Sequence, residues 1–171
     1  SSNESVRLSC ARCLNYLSKK CPSVFLKSPS SLVMILLERF SQIIMDLDHV
    51  ALGCLVKAIL RIGTFVEDVS AKTEIFEITM TPLAEILRSG VVDNAAKVLR
   101  VLPKLKNIKD KREFYAHIID PLIESIDWCR DSDENTFLLF VDAILEVFSC
   151  FPYDVLRGPI DTFVVKCTEA E

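Results

Sequence analysis

His49 stands behind two carboxylates in Asp46-Leu47-Asp48-His49, and His49 and His117 are the only two histidines in the chain. A histidine beside acids can ligate a metal or serve as a general acid or base. The same four residues also open a helix, with Asp48 as the N-cap and the carboxylates complementing the helix dipole, and that reading is adopted. His117 lies three residues before Asp120, a spacing that puts the two on one helix face as a surface pair. Cys10-x-x-Cys13 with Cys21 begins a zinc-ligand pattern. No second ligand pair follows at finger spacing, so the two mid-helix thiols are expected to pack as buried apolar groups. The glycines Gly53, Gly63, Gly90 and Gly158 are scattered and build neither a phosphate-cradling loop nor a nucleophile elbow; Gly53 and Gly63 are expected to permit close helix packing. These residues point away from an enzyme and imply no cofactor, no metal and no small-molecule substrate.

The other chemistry is charge placed on otherwise apolar segments. Between residues 50 and 62 the only charges are Lys57 and Arg61, four apart and therefore on one helix face. Lys97, Arg100 and Lys104 share a face further on, as do Arg12, Asn15 and Lys19 earlier, and Asp142 and Glu146 form the corresponding pair late in the chain. A helix apolar around most of its circumference is packed on several sides, leaving a single wet stripe. Such a stripe is either ordinary solvated surface or a binding face. A second basic group, Lys104, Lys106, Lys109, Lys111 and Arg112, reads as a solvated turn, with contact to phosphate or an acidic tail as the other option. Trp128 reads as a packing anchor.

The totals are compatible with a globular chain. Of 171 residues, 50% are apolar and 26% charged, and only 4 are glycine, few for an all-β chain. The net charge of −4 provides no global attraction to nucleic acid or an anionic membrane. The 7 cysteines, Cys10, Cys13, Cys21, Cys54, Cys129, Cys150 and Cys167, are odd in number and sit mostly among helix-periodic apolar residues, which suits free thiols in the cytoplasm or nucleus. No apolar run reaches the roughly 18 residues of a membrane span. The absence of an initiator Met suggests a boundary within a longer protein.

Apolar spacing of three and four residues predicts about eight helices, over 3–20, 31–47, 48–66, 70–88, 92–108, 111–129, 134–150 and 151–167, in one all-α domain covering 1–171. Asp48, Asp93 or its neighbours, and the Asp131-Ser132-Asp133 run supply N-caps, and Ser89-Gly90 a stop. Two sets of matches repeat on this map. Val56-Lys57-Ala58-Ile59-Leu60-Arg61-Ile62 returns as Val141-Asp142-Ala143-Ile144-Leu145-Glu146-Val147, with Lys97-Val98-Leu99-Arg100 between them at steps of 40 and 45. Pro82-Leu83, Pro121-Leu122 and Pro159-Ile160 recur on the intervening helices at steps of 39 and 38. Proline inside a helix costs about 3 kcal/mol or more, so three in register mark a repeat.

On these residues the chain resembles the HEAT and armadillo families of α-solenoids. Pro82 and Pro121 match the proline of a first repeat helix, and Glu4-Ser5-Val6-Arg7 with Ala11, Leu14 and Leu17 matches the opening of a second. The second and third predicted helices lack the proline, and no Val-Arg pair opens the third, fifth or seventh. The resemblance implies a right-handed α-α superhelix whose ends are cut mid-repeat, a piece of a longer array with a risk of self-association through open ends. It places the wet stripes on a concave groove: Arg12, Lys57, Lys97 and Asp142 in one row, with Lys19, Arg61, Arg100 and Glu146 beside them and Lys104 on the same face. The expected function is a scaffold or adaptor holding an acidic or amphipathic protein segment there, with charge setting on-rate and specificity. Ranked below it are a tubulin-type binder, disfavoured because the turns at 46–49, 88–93 and 129–135 are largely acidic, and nucleic-acid binding through the Lys104–Arg112 cluster.

Overall fold

The computed structural model describes residues 2–22, 35, 37–40 and 42–169; among these no residue is in a strand and the elements are helical. Helix α1 covers Ser2–Lys20, α2 His49–Thr64, α3 Val69–Arg88, α4 Val92–Val101, α5 Lys111–Tyr115, α6 Ile119–Glu124, α7 Ile126–Cys129, α8 Glu134–Ser149 and α9 Tyr153–Thr168. Short 3₁₀ segments cover Ile44–Asp46 and Leu102–Leu105. Of the helix predicted at 31–47, residues 31–34, 36 and 41 lie outside the described residues; 37–40 and 42–43 are helical. None of the helices searched, all among the described residues, is long and apolar enough to cross a membrane.

The helix starts follow their caps. The Asp48 carboxylate accepts from the Ala51 N–H at 2.7 Å, Asp68 does the same for Ala71 at 3.0 Å, and Asp133 for Thr136 at 2.9 Å. Those bonds satisfy backbone donors that no helix can satisfy internally. Two hydrogen bonds from Thr136 hold the Asp133 carboxyl below its ordinary range. Asp93 does not cap α4. The cap position is Val91, without a side-chain bond, and Asp93 sits in the first turn. The stop at Ser89-Gly90 holds, with Gly90 in the left-handed region at φ +70°.

Two predicted helices are broken, both by proline. Residues 92–108 change from α to 3₁₀ at Leu102, because Pro103 has no N–H to return to the carbonyl one turn back. Residues 111–129 divide into α5, α6 and α7. Ahead of Pro121 the backbone tightens, with the Ile118 N–H bonding the Tyr115 carbonyl at 3.0 Å, before the chain restarts as α6. Pro82 and Pro159, by contrast, lie inside continuous helices α3 and α9.

The helices pack in two rows. In the first, α1 lies on α2, α2 on α4, and α4 on α8; in the second, α3 lies on α5 and α6, and α9 on α6 and α7. Between the rows α2 packs on α3, α3 on α4, and α8 on α6. Central to this is α2, where Val56, Ala58, Ile59, Leu60 and Ile62 are all fully buried. Gly63 lets α3 approach: a Cβ there would come within 3.0 Å of the Phe76 ring and 3.1 Å of Ile75. Phe76 meets Phe114 edge-on at 5.7 Å, and Phe114 meets Tyr115 at 4.9 Å, tying α3 to α5. Trp128 is half-buried, and its indole N–H donates to the Leu87 carbonyl at 2.9 Å, which anchors α7 to the end of α3.

The cysteines depart from expectation. Cys10, Cys13 and Cys167 are exposed, and among the seven only Cys129 is fully buried, its thiol pushed up to about 12 by burial. Helix α1 buries little beyond the side carrying Ala11 and Ser18, so thiols at positions 10 and 13 fall off that face.

The buried Tyr115 hydroxyl donates to the Leu102 carbonyl at 2.7 Å, where the helix of α4 tightens, and burial holds the phenol protonated well above its ordinary range. Tyr115→Phe should lower unfolding free energy by about 1 kcal/mol, the net value of one hydrogen bond. Phe76→Ala should cost about 3–5 kcal/mol, the usual price of an aromatic cavity. Urea unfolding of the three proteins, compared at matched slopes, checks both values.

Candidate functional site

Spacing of four residues along α2 places His49, Gly53, Lys57 and Arg61 on one stripe. It is the only wet line on a helix whose other faces are buried. Lys57 and Arg61 are half-buried, their stems against the core and their cationic ends outward. Across the stripe from α1 comes Asn15, whose side-chain oxygen accepts from Arg61 and whose backbone oxygen lies 3.4 Å from the same guanidinium nitrogen. The Asn15 amide in turn reaches the Cys54 sulfur at 3.9 Å. Arg61 therefore straps α1 to α2.

From the other side comes Lys104. The 3₁₀ turn carries it over α2 beside Gly53, where a Cβ would make only ordinary van der Waals contact, 3.9 Å from the Lys104 stem and 3.7 Å from a Val101 methyl. Lys104 is thereby drawn into two neighbourhoods. Lys57 is depressed below its ordinary value mainly by burial, and also by Arg61, Lys104 and Lys19, with partial relief from Cys54. His49 is depressed by burial, then by Lys104 and Arg100, against a weaker opposing pull from Asp48.

His49, Arg100, Lys104 and Asp142 open onto one cavity of about 300 Å³ between α2, α4 and α8, with Leu99, Pro103 and Leu139 forming its apolar wall. Three nitrogen bases and one carboxylate over an apolar floor are suited to hold an anionic group with an apolar stem. Among the described residues no group of three His, Cys, Asp or Glu side chains is placed to hold a metal ion.

The nine residues singled out from sequence divide by position. Lys19, Lys57, Arg61, Arg100, Lys104 and Asp142 belong to this connected face. Lys97 reaches back to the Met45 carbonyl at 3.4 Å, in the 3₁₀ segment ahead of α2. Glu146 is paired with Lys111 at 3.4 Å, which draws it toward the start of α5. Arg12 is exposed on α1. His49 was assigned to helix capping alone, although its spacing to Gly53 and Lys57 already placed it on the stripe. Two of the five basic residues of the turn are tied down, Lys111 to Glu146 and Arg112 to the Cys150 carbonyl at 2.8 Å, and Asp110 within the turn pairs with Lys72 at 3.3 Å.

A histidine whose folded pKa lies below its unfolded value binds protons more readily when unfolded, so its contribution to stability is full above about pH 6.5 and is lost as pH falls from there through the lower folded value. His49 should titrate below 6.5 by NMR, and Lys104→Gln should move its midpoint upward. An unchanged midpoint in that variant would show that Lys104 does not face His49.

Compared with known proteins, the chain matches no family model, no curated protein and no solved structure.

Proposed function

We propose that the chain is a non-catalytic helical-repeat scaffold of HEAT or armadillo type. In this reading its two rows of helices form a right-handed superhelix, and the His49–Lys104–Asp142 face lines the concave groove. Alternate helices stacking on alternate helices, with a sequence period near 40, supports the repeat reading. The groove takes an acidic or amphipathic segment of another protein, in the cytoplasm or nucleus.

The observation that carries this is the gathering of cations with too little counter-charge. Arg100 and Lys104 share a cavity with Asp142, beside His49 whose imidazole is held below its ordinary value, and Lys19, Lys57 and Arg61 extend the cationic sign toward α1. Holding like charges together costs free energy, which an incoming carboxylate offsets while its apolar neighbours settle on Leu99 and Leu139. The basic turn is a weaker candidate, since Lys111 and Arg112 are already committed within the fold.

Capture from cell extract with wild type, Arg100→Glu/Lys104→Glu and Lys106→Glu/Lys109→Glu tests the reading, once circular dichroism shows the three fold alike. The first variant should lose a specific partner by roughly tenfold or more, and the second should retain it. Equal recovery by all three proteins would rule the groove out.

A further inference from the structure

Each base of the cavity between α2, α4 and α8 comes from a different element: His49 from the start of α2, Arg100 from α4 and Lys104 from the 3₁₀ turn. Asp142 of α8 supplies the fourth side. Arg100, Lys104 and Asp142 are exposed and His49 is half-buried. The carboxylate does not close on the cations: among the described residues no ion pair joins Asp142 to Arg100 or Lys104. The four groups stand around a space of about 300 Å³. On the α1 side of the same helix start, the Asp48 carboxylate is taken by the Ala51 N–H at 2.7 Å and opens with Glu4, Arg7 and Asp46 onto a separate, smaller cavity.

Charge and donor count select between anions here. An ionised carboxylate offers two oxygens in one plane and no proton, and Asp142 repels it. A phosphate monoester offers three oxygens about a tetrahedral centre, and a second pKa of about 6 lets it retain a proton near neutrality. A P–O–H can then donate to Asp142 while the other oxygens accept from Arg100 and Lys104. Burial, Lys104 and Arg100 hold His49 below its ordinary value, so near neutral pH the empty cavity carries one net positive charge. The singly protonated ester neutralises that charge. The dianion does so with the same number of protons if the proton moves to His49. Leu99 and Leu139 receive the carbon stem.

We infer that the group entering this cavity is a phosphate monoester, carried by a phosphorylated serine or threonine of the bound segment and taken up together with one proton. The inference rests on the groove reading proposed above and names the group the groove selects. Lys57, Arg61 and Lys19 continue the basic line toward α1 and suit further carboxylates of an extended chain. That favours a protein segment over a lipid headgroup bearing the same ester.

Isothermal titration calorimetry on the whole chain tests this with two peptides, one with phosphothreonine between leucines and flanking glutamates, the other with glutamate replacing the phosphothreonine. At about pH 6 the phosphopeptide should bind roughly tenfold or more tightly than its counterpart. Measured at about pH 7 in buffers of different ionisation enthalpy, it should take up about one proton per site, and its affinity should fall roughly tenfold or more toward pH 8. Asp142→Asn removes the need for that proton, so it should abolish most of the uptake and strengthen the glutamate peptide. Arg100→Gln/Lys104→Gln should weaken the phosphopeptide by roughly tenfold or more. Both variants alter exposed side chains, and a thermal melt checks that they fold. Equal affinity for the two peptides, phosphopeptide binding without proton uptake, uptake unchanged in Asp142→Asn, or no binding of either peptide would overturn the inference. So would co-sedimentation with phosphatidic acid vesicles by a chain that ignores the phosphopeptide. If any of these accompanies loss of a captured partner on Arg100→Glu/Lys104→Glu, the groove reading stands and the phosphate inference alone fails.

Discussion

The architecture depends on the burial of α2. With Val56, Ala58, Ile59, Leu60 and Ile62 all removed from water, the helix needs neighbours on nearly every side, and α1, α3 and α4 provide them. Transfer of that much apolar surface is the main source of stability, at about 25 cal/mol per Å². It also leaves one strip of α2 facing water. Any charge on α2 must sit there, which is why Lys57 and Arg61 share a stripe with His49.

The electrostatics follow from that crowding. Burial lowers the basicity of Lys57 and Arg61, and at Lys57 the neighbouring Arg61, Lys104 and Lys19 add to it; the molecule relieves only part of this crowding. Arg61 is held by Asn15, Lys97 by the Met45 carbonyl and Lys111 by Glu146. Lys104 and Arg100 have Asp142 across an open cavity. Cations that stabilise the fold and cations that remain available are thereby interleaved along the same helices, and residue type does not distinguish them.

Proline sets the register of the charges. Pro103 shortens α4 and turns Lys104 over Gly53, while Pro121 breaks the following helix and lets Phe114 and Tyr115 enter the core as a compact α5. Tyr115 then bonds the carbonyl at the point where α4 tightens. Within the repeated frame Ala58 and Ala143 are both fully buried, whereas Leu60 is buried in α2 and its counterpart Leu145 is exposed on α8.

The helical content, most helix boundaries and the caps at Asp48 and Asp133 were determined by the sequence itself, because apolar periodicity and side-chain capping act within a few residues of chain. The repeated frame and the basic sign of the stripe were equally legible. Which cations meet was decided by tertiary structure. Lys97 and Lys104 stand seven residues apart on one helical face, yet one reaches back to the Met45 carbonyl ahead of α2 and the other reaches the cavity, because a missing N–H at Pro103 changes the backbone between them. The outward thiols of Cys10 and Cys13 have a similar origin: periodicity locates a helix, but only its neighbours determine how much of its circumference is covered.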